Sequence, residues 1–254
     1  MLLLNRSREV HDMRLKHDSS ILIAGPSGSG KSYFMERLIE NRLQIFDVPP
    51  SEIYWCYGQY QQRLEALGQE HGVHLVEGLP ESLLDTLPAN SMVVVDDLMA
   101  EAEDNKLVTA LFTKVSHHQH VTVIFLTQNL FQKGSQSRTR SLNASYIVLM
   151  KNPRDASQIR HLAVQIFPQN PKFLINVYAD AIREPYSYLL LDLRQETPEK
   201  LRVRAGGLSL PRNQQKKKKK TKKREQEDEE QEEEEEEETT KSEASIGQTA
   251  LSTP

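Results

Sequence analysis

Cysteine is nearly absent: Cys56 is the single one in 254 residues, so no intramolecular disulfide can form, which suits a reducing compartment. In the run Tyr54-Trp55-Cys56-Tyr57 it is expected to be a small buried hydrophobe in a strand. No apolar run reaches the roughly 18 residues needed to cross a bilayer. Met1 and the three leucines after it are too few for a signal-peptide core and are followed at once by charge. These absences predict a soluble, intracellular protein with no membrane partner. Apolar residues make up only 37% of the chain, low for a globular protein, so part of it is not core.

That part is the C-terminus. Residues 216–224 are almost entirely basic and residues 225–238 almost entirely acidic. Residues 212–254 hold 10 of the 32 Lys and Arg and 13 of the 36 Asp and Glu, which leaves 22 against 23 in residues 1–211, a net of −1. Blocks of like charge repel themselves and offer no apolar surface to offset ordering entropy, so residues 209–254 are expected to form a disordered tail. The basic run suits a nuclear localisation signal better than a DNA-binding arm, because the glutamates that follow compete for its lysines.

What is present is a phosphate-binding signature. Gly25, Pro26, Ser27, Gly28, Ser29, Gly30, Lys31 and Ser32 match GxxxxGK[ST] and follow the apolar run of residues 20–24, which predicts a strand, a glycine loop and a helix. Such a loop wraps backbone N–H groups around phosphates; Lys31 would reach the β- and γ-phosphates and the Ser32 hydroxyl would ligate Mg²⁺. ATP with Mg²⁺ is the expected ligand.

Strand-like and helix-like segments alternate from Ser20 onward, which predicts an α/β domain with a mostly parallel sheet and helices on both faces, over residues 19–208. Residues 1–18 form an N-terminal arm that could add an edge strand. Helices are expected at 32–43, 59–67, 107–115 and 170–183, and strands at 52–57, 73–76, 92–95, 121–127, 145–150 and 186–192, the last with a hairpin partner at 200–204. Asn152 and Pro153 read as a helix start.

A buried strand ending in Asp96 and Asp97 supplies the second part of a P-loop enzyme. Placed beside the P-loop strand, Asp96 would hold Mg²⁺, and Asp97 would orient or deprotonate the attacking water. Gln128, at the end of the next strand, could sense the γ-phosphate, while Asn129 could equally just start a turn. Arg138 and Arg140, in a polar loop, and Arg154, in a predicted first helical turn, are candidates for an arginine that a neighbouring subunit lends to the transition state. His117, His118 and His120 are read as polar residues closing a helix, not as zinc ligands.

Together, the P-loop, the Asp96-Asp97 pair, residues 125–131 and residues 146–155 resemble the genome-packaging ATPases of the FtsK/HerA superfamily, particularly those of Polinton/Maverick elements and adintovirus-like relatives. The resemblance runs from Lys16 to Arg204, and residues 112–155 are its discriminating part. It implies a RecA-like domain, a homo-oligomeric ring with ATP sites at subunit boundaries, and double-stranded DNA driven into a preformed capsid through portal or vertex proteins. It also implies that Lys31 and Ser32 bind MgATP, Asp96 is the metal-associated acid, Asp97 the catalytic carboxylate and Gln128 the sensor. Many cellular members carry Glu where this chain has Asp97, which leaves the base open. The expected location is the host nucleus or the virion. The near-neutral core lacks the basic footprint of a tight DNA binder, although a ring motor needs only weak, moving contacts. Two rival readings remain: a small-molecule kinase on the same scaffold, and a non-hydrolysing, nucleotide-dependent assembly protein.

Overall fold

The computed structural model describes residues 11–96, 106–112, 119–131, 135–206 and 208, without the side chains of Leu84, Lys106, Val108 and residues 135–138. Asp97, His117, His118 and the charged runs of residues 216–238 therefore lie outside the described residues.

The elements follow in the order β1 (Ser20–Ala24), α1 (Lys31–Glu40), α2 (Arg42–Ile45), β2 (Glu52–Tyr57), α3 (Gln62–His71), β3 (Val73–Glu77), α4 (Glu81–Thr86) and β4 (Ser91–Asp96). Then come α5 (Lys106–Ala110), β5 (Val121–Thr127), α6 (Ser135–Asn143), β6 (Tyr146–Met150), α7 (Ser157–Ile166), α8 (Pro171–Ala181), β7 (Tyr188–Asp192) and β8 (Val203–Ala205). They build one eight-stranded sheet in the order β3-β2-β4-β5-β1-β6-β7-β8. The first six strands are parallel, and β7 and β8 add to the β6 edge antiparallel.

Parallel strands must be joined by crossovers, and the crossover helices cover both faces, so the strands read as continuous apolar runs. β4, β5 and β6 are buried at every position. Successive side chains still go to opposite faces. Met92 and Val94 join Phe34, Met35, Leu38 and Ile39 of α1 and Leu64 and Leu67 of α3 in one cluster. Val93 and Val95 join Ile159, Leu162 and Ala163 of α7 and Leu174 of α8 in the other. Each fully buried Val, Leu or Ile side chain contributes about 1.5–3 kcal/mol, so these two clusters are what hold the helices to the sheet.

The antiparallel edge is tied by ions. Asp192 is buried and accepts hydrogen bonds from Arg194 at 2.9 Å, from Thr197 Oγ1 at 2.8 Å, and from Arg204. Arg204 also donates to the Met13 carbonyl at 2.9 Å, fastening the N-terminal arm to β8.

The α/β class and the mostly parallel sheet are as expected; several local expectations are not. Residues 135–140, part of a stretch read as a polar loop, belong to helix α6, which has no apolar stripe to announce it. The helix expected from Asn152-Pro153 begins at Ser157. Asn152 Oδ1 instead accepts the N–H groups of Arg154 and Asp155 at 3.1 and 3.3 Å, closing a turn, and Asp155 Oδ1 accepts the Ser157 N–H at 2.9 Å. The last long strand starts at Tyr188, two residues later than expected. Among the described residues the arm adds no strand to the sheet, making only an isolated bridge from Leu15 to Phe46.

Candidate nucleotide-binding site

β1, β4 and β5 run parallel, so their C-terminal ends open on one edge of the sheet. Ala24 is level with Thr127, and Asp96 with Leu126. There the chain leaves a cleft of about 290 Å³. Its lining includes Ser27, Gly28 and Gly30 from the loop after β1, Lys31 and Ser32 at the start of α1, Asp96 from β4, and Gln128 just past β5.

Contrary to the sequence expectation, Asp96 is not on the strand beside β1, because β5 pairs with both and separates them. That insertion puts the end of β5, which Gln128 follows, between the ends of β1 and β4.

The loop closes for reasons local to its residues. Gly28 and Gly30 have φ of 76° and 95°, a left-handed backbone that glycine adopts without a Cβ penalty, and Gly30 caps α1. A helix N-terminus then aims its first N–H groups and the positive end of its dipole at the cleft. Lys31 Nζ donates to the carbonyls of Gly25 and Pro26 at 2.6 and 3.2 Å, which holds the ammonium over the loop. Gly25 behaves differently from the expectation that each loop glycine serves the phosphates. It is not part of the cleft lining, and its N–H donates to the Thr127 carbonyl at 3.1 Å. The Ser29 hydroxyl is buried and finds no hydrogen-bond partner among the described residues.

Further groups that the sequence reading missed line the cleft, among them Arg63 and Tyr33. Arg63, at the second position of α3, places its guanidinium 3.9 Å from the Asp96 carboxylate, and Tyr33 stands in the first turn of α1. An arginine in the first turn of a helix opposes the helix dipole, which is a sequence signal of a partner anion. It was hidden because α3 was expected to start at Gln59, which put Arg63 deeper in the helix.

The candidate arginines separate by burial. Arg140 is 2% exposed, with its guanidinium 5.0 Å from the Phe125 ring centroid, and burial pulls its pKa below the usual range. So placed, it braces α6 against β5 and does not reach out to a neighbouring subunit. Arg154 is exposed, in the turn before α7. Arg138 lies on α6, its side chain undescribed. Asn129 starts a turn: its Oδ1 accepts the Phe131 N–H at 2.9 Å. His120 pairs with Asp18 at 2.7 Å, and no metal-binding group of three or more ligands occurs among the described residues.

A glycine loop between a buried parallel strand and a helix, with an acid two strands away across the sheet, makes this a RecA-like domain of the P-loop NTPase fold. No family model and no curated protein matches the chain. Among solved structures it is similar to the DNA-packaging ATPase B204 from Sulfolobus turreted icosahedral virus, at 12% identity over 75% of this chain and 97% of that one, with a TM-score of 0.49. It is also similar to the genome packaging NTPase B204 from Sulfolobus turreted icosahedral virus 2 in complex with ATP-gammaS, at 13% identity over 74% and 96%, TM-score 0.46. The flagellar accessory protein FlaH from Methanocaldococcus jannaschii matches at 12% over 52% and 71%, TM-score 0.38.

Proposed function

We propose that the chain is an ATP-hydrolysing motor that moves double-stranded DNA into a preformed viral capsid. The observation that carries hydrolysis is the meeting of Lys31, Asp96 and Gln128 in one cleft at the ends of three strands. The donor set fits a magnesium nucleoside triphosphate. A loop with two left-handed glycines suits an anion, Lys31 adds a positive charge, and the Ser32 hydroxyl and Asp96 carboxylate are hard oxygen ligands. When bound, Mg²⁺ neutralises charge on the phosphate oxygens.

In this reading Lys31 holds the transferred phosphate and Gln128 orients the attacking water, with Asp97 as its base. Arg63, 3.9 Å from Asp96, adds a second cation on the same side of the cleft. Charge that builds on the phosphoryl oxygens is met there by groups already in position, so little reorganisation is needed at the moment of reaction. Arg154, exposed, and Arg138 remain the candidates to complete a neighbour's site in a homo-oligomeric ring. DNA as the substrate rests on the resemblance of residues 112–155 to the packaging ATPases of the FtsK/HerA superfamily, including those of Polinton/Maverick elements. Capsid portal or vertex proteins would be the partners, and the host nucleus or the virion the location.

The test is steady-state ATP turnover by the full chain with and without double-stranded DNA. The reading expects turnover that DNA accelerates and that Lys31→Ala or Asp97→Asn abolishes, Asp97→Asn still binding ATP. DNA-independent turnover that requires a nucleoside or nucleotide acceptor would replace the motor with a kinase. Capsid filling untouched by Asp97→Asn would replace it with an assembly protein.

A further inference from the structure

Tyr186 sits in the turn between α8 and β7, in a backbone that tyrosine does not favour. Its φ is 59°, in the left-handed region, and its side chain is 66% exposed, so burial does not compensate for the conformation. The turn is tied down by its neighbours: Ser187 donates from its backbone N–H and its hydroxyl to the Glu184 carbonyl, and Lys151 Nζ donates to the Arg183 carbonyl at 3.0 Å. A fixed turn thus holds an aromatic ring in the open.

The ring lies beside Gly30 of the phosphate loop, next to the cleft and outside the residues that line it. A Cβ built on Gly30 would lie 3.0 Å from Tyr186 Cδ1. The topology explains the approach. β7 is antiparallel, so the turn that precedes it comes to the same sheet edge as the ends of the parallel strands. Tyr188 pairs with Met150, and the preceding residue of β6, Leu149, pairs with Ala24 at the end of β1.

The charged groups of the cleft place the phosphates. Asp96, Gln128 and Arg63 come from β4, the end of β5 and α3, all on one side of β1. Tyr186 comes from the other side, beyond β6. A triphosphate whose γ end faces Asp96 and Gln128 therefore has its α end, and the nucleoside attached to it, directed toward β6 and β7. An exposed ring held rigidly there offers a flat apolar face to a flat heterocycle.

We infer that Tyr186 is the residue on which the base of the bound nucleoside triphosphate stacks. The inference rests on the P-loop reading of the cleft but not on DNA as the motor's track. Stacking accepts any base because each has a π-face, so the site discriminates a nucleotide from a bare polyphosphate more than one base from another.

The experiment compares equilibrium binding of MgATP and of inorganic tripolyphosphate to the full chain and its Tyr186→Ala, Tyr186→Trp and Tyr186→Gly variants, with a thermal melt of each. Tyr186→Ala should weaken MgATP on the order of tenfold, the size of one base–aromatic stacking contact, and leave tripolyphosphate unchanged. Tyr186→Trp should keep wild-type affinity. Tyr186→Gly should lose affinity like the alanine while melting no lower than wild type, because glycine relieves the left-handed backbone. A ring that merely props up the loop predicts equal losses for both ligands and a lower melt for glycine, and that result overturns the inference. So does unchanged MgATP affinity in Tyr186→Ala, or a selective loss that appears in Tyr33→Ala instead. Wild-type protein that binds neither ligand overturns the P-loop reading itself, whereas ATP turnover indifferent to DNA overturns the motor and leaves the stacking residue standing.

Discussion

Gly25→Ala is expected to destabilise the fold more than Gly28→Ala, although both change one methyl in the same loop. At Gly25 the added Cβ would stand 2.6 Å from Met150 Cβ and 2.7 Å from Ser29 Oγ. Carbon atoms in good contact lie about 3.5–4.0 Å apart, so something must move by about 1 Å. Met150 Cβ is not the loose end of a side chain; it is fixed by β6, which is hydrogen-bonded between β1 and β7. Overpacking at such a site costs about 1–3 kcal/mol, and a clash against a strand held on both sides belongs at the upper end. At Gly28 no atom lies within 4 Å of the new Cβ, and only the φ of 76° opposes it. That is about 1–2 kcal/mol for a left-handed alanine. In a domain of this size 1 kcal/mol moves the melting temperature by about 2–4 °C, so about 3 kcal/mol at Gly25 corresponds to roughly 6–12 °C. Urea unfolding followed by far-UV circular dichroism, with thermal melts alongside, measures both variants. A Gly25→Ala protein as stable as Gly28→Ala would refute the argument that packing against β6 selects glycine at this position.

Cys56 is fully buried, and burial pushes its thiol up from 9.0 to about 12. It should therefore resist an aromatic disulfide reagent in the native protein at pH 8 and react in full only when urea unfolds the chain; rapid native labelling would contradict its placement. Because the neutral thiol is the buried form, its contribution to stability is intact below pH 9.0 and is lost as the pH rises from there toward about 12, which Cys56→Ala should not reproduce over the same range in urea titrations. Asp192→Ala removes the buried anion that half-buried Arg194 and buried Arg204 share, and should cost about 3–5 kcal/mol in the same unfolding measurement; a loss under 1 kcal/mol would show that the antiparallel edge does not depend on the cluster.

Local pattern was legible wherever burial was uniform. β5 lies where its run places it, at Val121–Thr127, because a strand covered on both faces is almost wholly apolar; β2 also lies where expected, at Glu52–Tyr57, although only Ile53, Trp55 and Cys56 of it are buried. The glycine loop was legible for a different reason: its glycines and Lys31 are fixed in one short, unbroken segment. α6 was not legible, since Ser135–Asn143 is polar nearly all round and carries no 3.6-residue apolar period. Nor was the delay of α7 to Ser157, which depends on a turn closed by Asn152 rather than on propensity.

By itself, then, the sequence determined the α/β class, the phosphate loop and the acid and amide that follow buried strands, because each is written in contiguous residues. Tertiary structure alone decided who meets whom. Strand order is a property of pairing between segments distant in the chain, and it set β5 between β1 and β4, so that Gln128 shares one cleft with Lys31 and Asp96. It brought Arg63 to Asp96 and folded Arg140 inward against Phe125. It also returned the chain, some 150 residues after the loop, so that Tyr186 lies beside Gly30. No local pattern records these encounters, because packing across the sheet, not spacing along the chain, creates them.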